Sequence, residues 1–419
     1  MTIAMPVVPH RAGEMHGLAV ARCLVVIVCM LFLPSALRFH LGFSSYAPGV
    51  MAGCVLVIGL ALFGVLGRIP SQVLIKGWLM GLMVLGAIAI HLGLSLLQWS
   101  ADIERATTSL AGMTLMAGAA PIVFYVIMNA EDGVLARSLA IVRVALLVMV
   151  AMSMLRLQPV GLLSSERPVW PFTEPSHFAL ASLPFFIDAT VRSPRLIRWV
   201  WLGTMAVIVL LLQSLSLAVG LAIAAVCSLG LAELIAFLIA ALVATQFIDL
   251  SYYVERLDIG YSSTNLSSLV YLQGIELIQE ALETTRGWGI AIQQLGFAPT
   301  NVLATEIIRR VGGGEQNLSD GSFLAVKFGA ELGILGIALL GIYIFKLFWA
   351  IIHLRLIAGN RAQSPVGVTF GLSVFTAFFI ELFVRGIGYF SGTVVMACAS
   401  IGVVAVVKFV SKDTVDLTK

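Results

Sequence analysis

From Trp170 to Ala179 the chain reads Trp-Pro-Phe-Thr-Glu-Pro-Ser-His-Phe-Ala, which sets a carboxylate (Glu174) and an imidazole (His177) three residues apart. Such a pair can accept and pass a proton, the basis of general acid–base chemistry. Long apolar segments flank it on both sides. Ionisable groups at the edge of hydrocarbon are expensive and mark function. Glu174 precedes Pro175, and proline fits the first position of a helix. A helix starting at Pro175 makes Glu174 its cap and puts His177 at the third position, close to that cap. Backbone N–H groups at such a helix start also favour an anion. The alternative for the pair is a structural cap alone.

Other chemistries find no footing. The five cysteines (Cys23, Cys29, Cys54, Cys227, Cys398) fall inside apolar runs, and the six histidines are dispersed. No disulfide framework or zinc spacing follows. Phosphate loops, dinucleotide fingerprints, HExxH and a GxSxG in a fitting context are absent. Neither a metal nor a cofactor is expected, and nothing suggests a nucleic-acid partner.

The elements that must position the pair follow from composition. Hydrophobic residues make up 60% of the chain and charged residues 11%, with a mean hydropathy of +1.03. A soluble domain carries roughly 25% charged residues. The chain therefore reads as an all-α, polytopic integral membrane helix bundle forming a single transmembrane domain over 1–419. Runs of ~17–25 apolar residues give about twelve transmembrane helices. They are placed near 21–37, 48–66, 78–97, 107–128, 139–157, 176–190, 199–213, 215–231, 232–248, 322–350, 366–384 and 390–408. The stretch 199–248 is one nearly unbroken apolar run, long enough for two or three spans; three make the later loops alternate sensibly, and two would put 249–321 inside. The first twenty or so residues carry His10, Arg11, His16 and Arg22 and read as a cytoplasmic tail rather than a cleaved signal peptide.

Cytoplasmic loops collect Lys and Arg, and this sets the orientation. Of the 25 basic residues, ten fall outside: Arg38, Arg105, Arg156, Arg167, Arg256, Arg286, Arg309, Arg310, Lys327 and Arg385. The other fifteen lie inside, so both termini are expected in the cytoplasm. Nine of the outer ten are arginine, which stays charged and grips phosphate with parallel bonds. Scattered interfacial arginines can also simply snorkel. As a set they fit an outer cavity for an anionic ligand.

Two outer loops are long. The first, 156–176, holds Arg156, Glu166, Arg167, Trp170 and Glu174, and its prolines keep it extended. The second, 249–321, opens with Tyr252, Tyr253, Glu255 and Arg256. Ser262 to Asn265 then supplies capping residues for an amphipathic helix of about 20 residues. Its apolar face includes Leu266, Leu269, Val270, Leu277 and Ile278. A glycine turn at Gly287-Trp288-Gly289 ends it. A short helix near Asn301–Val311 carries Arg309 and Arg310, and Asp320 reads as a cap for the next span. Arg385-Gly386-Ile387-Gly388-Tyr389 forms a third outer turn.

Three segments resemble bacterial polysaccharide repeat-unit polymerases, the Wzy class of O-antigen, capsule and exopolysaccharide assembly. They are Phe172–Ala179; Asn265–Gly274 leading to Gly287–Gly296; and Asp320–Phe323 with Gly329–Gly336. The likeness spans residues 155–340 or so. It implies a GT-C-like, metal-independent glycosyltransferase in the bacterial inner membrane with its site facing the periplasm. The substrates implied are undecaprenyl-diphosphate-linked oligosaccharides, with a chain-length regulator as a possible partner. On this reading Glu174 is the general base, and His177 orients it or shares the proton. Arg156, Arg167, Arg256, Arg309, Arg310 and Arg385, with Asp320, are candidates for substrate binding. Tyr389 and Trp170 are candidates for stacking on sugar rings.

Two alternatives stay open. An O-antigen ligase shares the donor, but ligases of that type are expected to carry a histidine in the large outer loop, and none lies between Asp249 and Gly321. A flippase or transporter for a lipid-linked solute tends to show internal repeats and midplane polar groups. No repeat is evident here.

Overall fold

The computed structural model describes residues 16–97, 102–157, 169–247, 251–296, 302–311, 323–359 and 364–416. Among them the chain is all-helical, and the only β pairing is an isolated bridge between Val169 and Phe172. The helices run α1 (His16–Leu41), α2 (Ala47–Leu62), α3 (Ser71–Leu96), α4 (Ile103–Asn129) and α5 (Asp132–Met154). Next come α6 (Pro175–Arg192), α7 (Arg195–Leu212), α8 (Leu215–Ser228) and α9 (Leu231–Ala244). The chain continues with α10 (Ser251–Leu257), α11 (Leu266–Thr284), α12 (Leu303–Val311), α13 (Leu324–Ala358), α14 (Val366–Phe383) and α15 (Gly392–Asp416).

Seven of these helices are long and apolar enough to cross a membrane: α1, α3, α4, α5, α7, α13 and α14. Helices α2, α8, α9 and the first part of α15 are apolar but shorter. Large apolar side chains on α3, such as Met80, Leu82, Met83 and Ile90, point outward. A contiguous apolar surface of this kind suits lipid and not water. The run 199–248 divides into three helices, as its punctuation predicts. Gln213 adopts φ 46° and ends α7, and the Ser214 hydroxyl caps α8 by accepting from the Leu217 N–H.

Helix α6 is the axis of the bundle. Every residue from His177 to Val191 is buried, and most of them are apolar. It packs against α7, α8 and α14. At its C-terminal end the Arg198 guanidinium gathers four carbonyls: Thr190 at 3.1 Å, Ser193 at 3.3 Å, Ser228 at 2.6 Å and Ala358 at 2.7 Å. One cation thus satisfies the open ends of α6, α8 and α13, where helix dipoles favour positive charge.

The amphipathic helix of the large loop is α11, capped by the Asn265 side chain, which accepts from the Ser267 N–H at 3.0 Å. It packs on α13. Helix α13 breaks at Gly333 (φ 58°, ψ −137°), and the segment after α11 fills the break. Ile290 N–H donates to Ala330 C=O (2.9 Å), Ala291 N–H to Glu331 C=O (3.1 Å), and Ile334 N–H to Gly287 C=O (2.8 Å). His91 and Ser95 of α3 brace this segment: Trp288 Nε1 donates to Ser95 Oγ at 3.0 Å, and the Trp288 ring stacks on His91.

No side chain fits at the crossing. A Cβ on Gly333 would lie 2.1 Å from the Gly287 oxygen, and one on Gly289 (φ 99°) would lie 2.5 Å from the Glu331 oxygen. Gly333→Ala and Gly289→Ala should each lower the thermal unfolding midpoint of the purified protein, with backbone strain alone costing about 1–3 kcal/mol. Gly341→Ala, where a Cβ meets nothing within 4 Å, should leave the midpoint unchanged or slightly raised.

Candidate functional site

Helix α6 begins at Pro175, as the sequence predicts, with Glu174 extended at its N-cap (φ −141°, ψ 152°). The Glu174 side chain, however, makes no capping bond to its own helix. Its Oε2 accepts instead from Arg385 Nη2 at 3.1 Å and from the Ser176 hydroxyl at 3.0 Å. The carboxylate has been drawn off the helix axis by a guanidinium 211 residues away in sequence. This is not what a purely structural cap does.

His177 follows the third-position expectation but faces inward and is buried. Its Nδ1 shares a 2.6 Å hydrogen bond with the Tyr46 hydroxyl and a 3.1 Å contact with Thr173 Oγ1. Glu174 and His177 are neighbours, joined by the backbone bond from His177 N–H to Glu174 C=O (3.1 Å), with no side-chain bond between them. Tyr46 stands edge-on to the imidazole, and the Arg38 guanidinium lies over the other side of the phenol at 4.4 Å from its ring centre. Burial pushes the Tyr46 phenol up from its ordinary value, against the pull of Arg38 and Thr173. A phenol that keeps its proton can donate to Nδ1 and fix the imidazole.

Partial burial would raise the Glu174 carboxyl, but the charges around it win. The Arg385 guanidinium, the Ser176 hydroxyl and Arg38 hold it down at about 2. It is therefore ionised at any physiological pH and, while paired, a weak base.

Behind His177 lies a small cavity of about 20 Å³, room for roughly one water. It is lined by Met30, Ser35, Tyr46, His177, Ser391 and Thr393, among others. Met30 belongs to a π-helical stretch of α1, Val28–Phe32, and such bulges mark functional sites often. The accessible side of the site is the pair itself, where Glu174 and Arg385 keep 39% and 33% of their side chains exposed.

The structure brings together three of the sequence-predicted residues, Glu174, His177 and Arg385. Arg156 is exposed at the end of α5 with φ 55°. Arg256 on α10 lies over the Tyr252 ring at 4.5 Å. Arg309 and Arg310 are exposed at the end of α12, where Arg310 pairs with Glu306 at 3.7 Å. None of these four bonds to Glu174, His177 or Arg385. Tyr389 is buried, with Phe328 against its ring, and offers no open face for stacking. Trp170 stands near the site, with Nε1 3.1 Å from His40 Nε2. Arg167 and Asp320 lie outside the described residues.

Sequence reasoning counted Arg38 among the outer arginines without placing it beside the pair, and missed Tyr46 and Thr173 as members of the site. The signal was the density of Arg38, His40 and Tyr46 between the first two apolar runs. No group of three or more His, Cys, Asp or Glu side chains converges as a metal site among the described residues. Compared with known proteins, the chain matches no family model, no curated protein and no solved structure.

Because the folded-state Glu174 value lies below the unfolded one (~4.3 for a free glutamate), its stabilising contribution is complete above the unfolded value. That contribution is lost as pH falls through about 2. Isotope-edited infrared titration of Glu174 should find the carboxylate intact well below pH 4, and Arg385→Gln should move its titration upward toward the ordinary carboxylate range. An unchanged titration in Arg385→Gln would show that the ion pair does not control Glu174.

Proposed function

We propose that this chain is a metal-independent glycosyltransferase that polymerises lipid-linked oligosaccharide repeat units in the bacterial inner membrane. On this reading about twelve spans form a GT-C-like bundle with cytoplasmic termini and a periplasmic site. The single observation that carries the reading is the Glu174–Arg385 ion pair, half-open at the start of a buried helix, with the Arg38 guanidinium over the neighbouring Tyr46 ring. A carboxylate and convergent guanidiniums at a membrane edge are what transfer from a lipid diphosphate requires. The three segments that resemble the polymerase class support it, since two of them, 287–296 and 329–336, dock on one another.

In the reaction, the acceptor hydroxyl oxygen bonds to the anomeric carbon of the growing glycan. The bond from that carbon to the diphosphate oxygen breaks, and its electron pair leaves with undecaprenyl diphosphate. Arg385 and Arg38 stabilise that charge. Glu174 takes the hydroxyl proton. A diphosphate that engages Arg385 competes with Glu174 for the guanidinium and so lifts the restraint on its basicity. His177, fixed by Tyr46, holds the start of α6 in place. No cofactor is needed.

Purified full-length protein given undecaprenyl-diphosphate-linked repeat units, with no ion gradient, should lengthen the glycan. Glu174→Gln should slow this about 100-fold or more, and Arg385→Ala should do likewise. Arg256→Ala, remote from the pair, should act more weakly. Translocation of the lipid-linked unit without elongation would instead make the chain a transporter. Long glycans from Glu174→Gln at normal expression would sink the assignment of the base.

A further inference from the structure

Glu381 is 0% exposed, two residues before the end of α14. Among the described residues no Lys, Arg or His forms an ion pair with it. A carboxyl in such surroundings is costly and must be retained for something. Among the described residues its one hydrogen-bond donor is the Thr393 hydroxyl, which donates to Oε2, while Oε1 is buried without a partner. Ser391 and Thr393 share a bond of 2.9 Å, and Ser391 Oγ accepts from Val394 N–H at 3.1 Å. A carboxyl from the end of α14 is thus tied to the start of α15 across the turn that joins them.

The stretch between those helix ends is the turn that carries Arg385. Its other restraints are close packing. A Cβ on Gly386 would come 2.7 Å from the Leu324 nitrogen, and one on Gly392 would come 1.5 Å from the Met30 oxygen. Arg385 N–H donates to Ile380 C=O at 2.8 Å. Side-chain fastening from within the bundle comes from Glu381.

We infer that Glu381 is a positioning residue for the anion site: it clasps the turn 384–391 so that the Arg385 guanidinium reaches Glu174 and the ligand that replaces it. The ligand class is a lipid diphosphate, which rests on the function proposed above. Glu381 touches neither substrate nor Glu174 and acts through Arg385 alone.

Two measurements on the full-length protein in lipid nanodiscs test this separately from the function. The first, amide hydrogen exchange over 384–391, needs no ligand. Glu381→Ala should speed exchange in this turn, while Glu381→Gln, which keeps an oxygen for Thr393, should largely restore protection. Unchanged exchange in Glu381→Ala overturns the clasp. The second is binding of undecaprenyl diphosphate. Glu381→Ala should weaken it about tenfold, or roughly 1.4 kcal/mol, and Glu381→Gln much less. In an Arg385→Ala background the Glu381 change should add nothing, because residues acting in series are not additive. Full additivity overturns the positioning role. If Glu381→Ala fails to fold, Thr393→Val removes the same bond and serves instead. Should the wild-type protein not bind the diphosphate while exchange behaves as expected, the functional reading falls and the clasp stands.

Discussion

Backbone N–H and C=O groups in an apolar interior must find partners within the protein, because hydrocarbon offers none. Much of this architecture answers that one constraint. Where α13 breaks at Gly333, the carbonyls of Ala330 and Glu331 are taken by amides of the segment that follows α11. Where α6, α8 and α13 end together, Arg198 takes the leftover carbonyls. The large loop is therefore no loose appendage. It completes a hydrogen-bond pattern that the bundle leaves open, and His91 and Trp288 lock the joint from α3.

The candidate site obeys the same economy. Its charges are few, and each has a definite counterpart: Glu174 with Arg385, His177 with Tyr46, Arg38 over the Tyr46 ring. The pairing is tight inside and open outside. His177 and Tyr46 are buried and rigidly held, whereas Glu174 and Arg385 keep access to solvent. An anion arriving from outside meets a guanidinium whose present partner is a single carboxylate oxygen, and exchange of one anion for another disturbs little else.

Much of the helical layout was legible in the sequence, because punctuating residues between apolar runs mark where helices start and stop. Pro175 marked the start of α6, Gln213-Ser214 the end of α7, and Asn265 the cap of α11. Glu174, His177 and Arg385 were legible as suspects, since ionisable residues beside spans are conspicuous. Their pairing was not, because Glu174 and its natural local role as a cap were separated only by a contact 211 residues distant. Tyr46 was missed, and Arg38 was not tied to the pair, for the same reason: nothing local tells a short turn which helix start it faces. Tyr389 was misjudged in exposure, since an aromatic at a span end reads alike whether it faces lipid, solvent or, as here, Phe328.

The distances in sequence between the partners carry a consequence for biogenesis. Tyr46 meets His177 across 131 residues, and Glu174 meets Arg385 across 211. As the chain enters the membrane from its N-terminus, α1, α2 and α6 can assemble the imidazole and phenol early. The carboxylate then waits without its guanidinium until the residue 211 positions later has been made. The ion pair comes into being only when the α14–α15 turn docks, so a nascent or truncated chain that stops short of it carries Glu174 without its guanidinium.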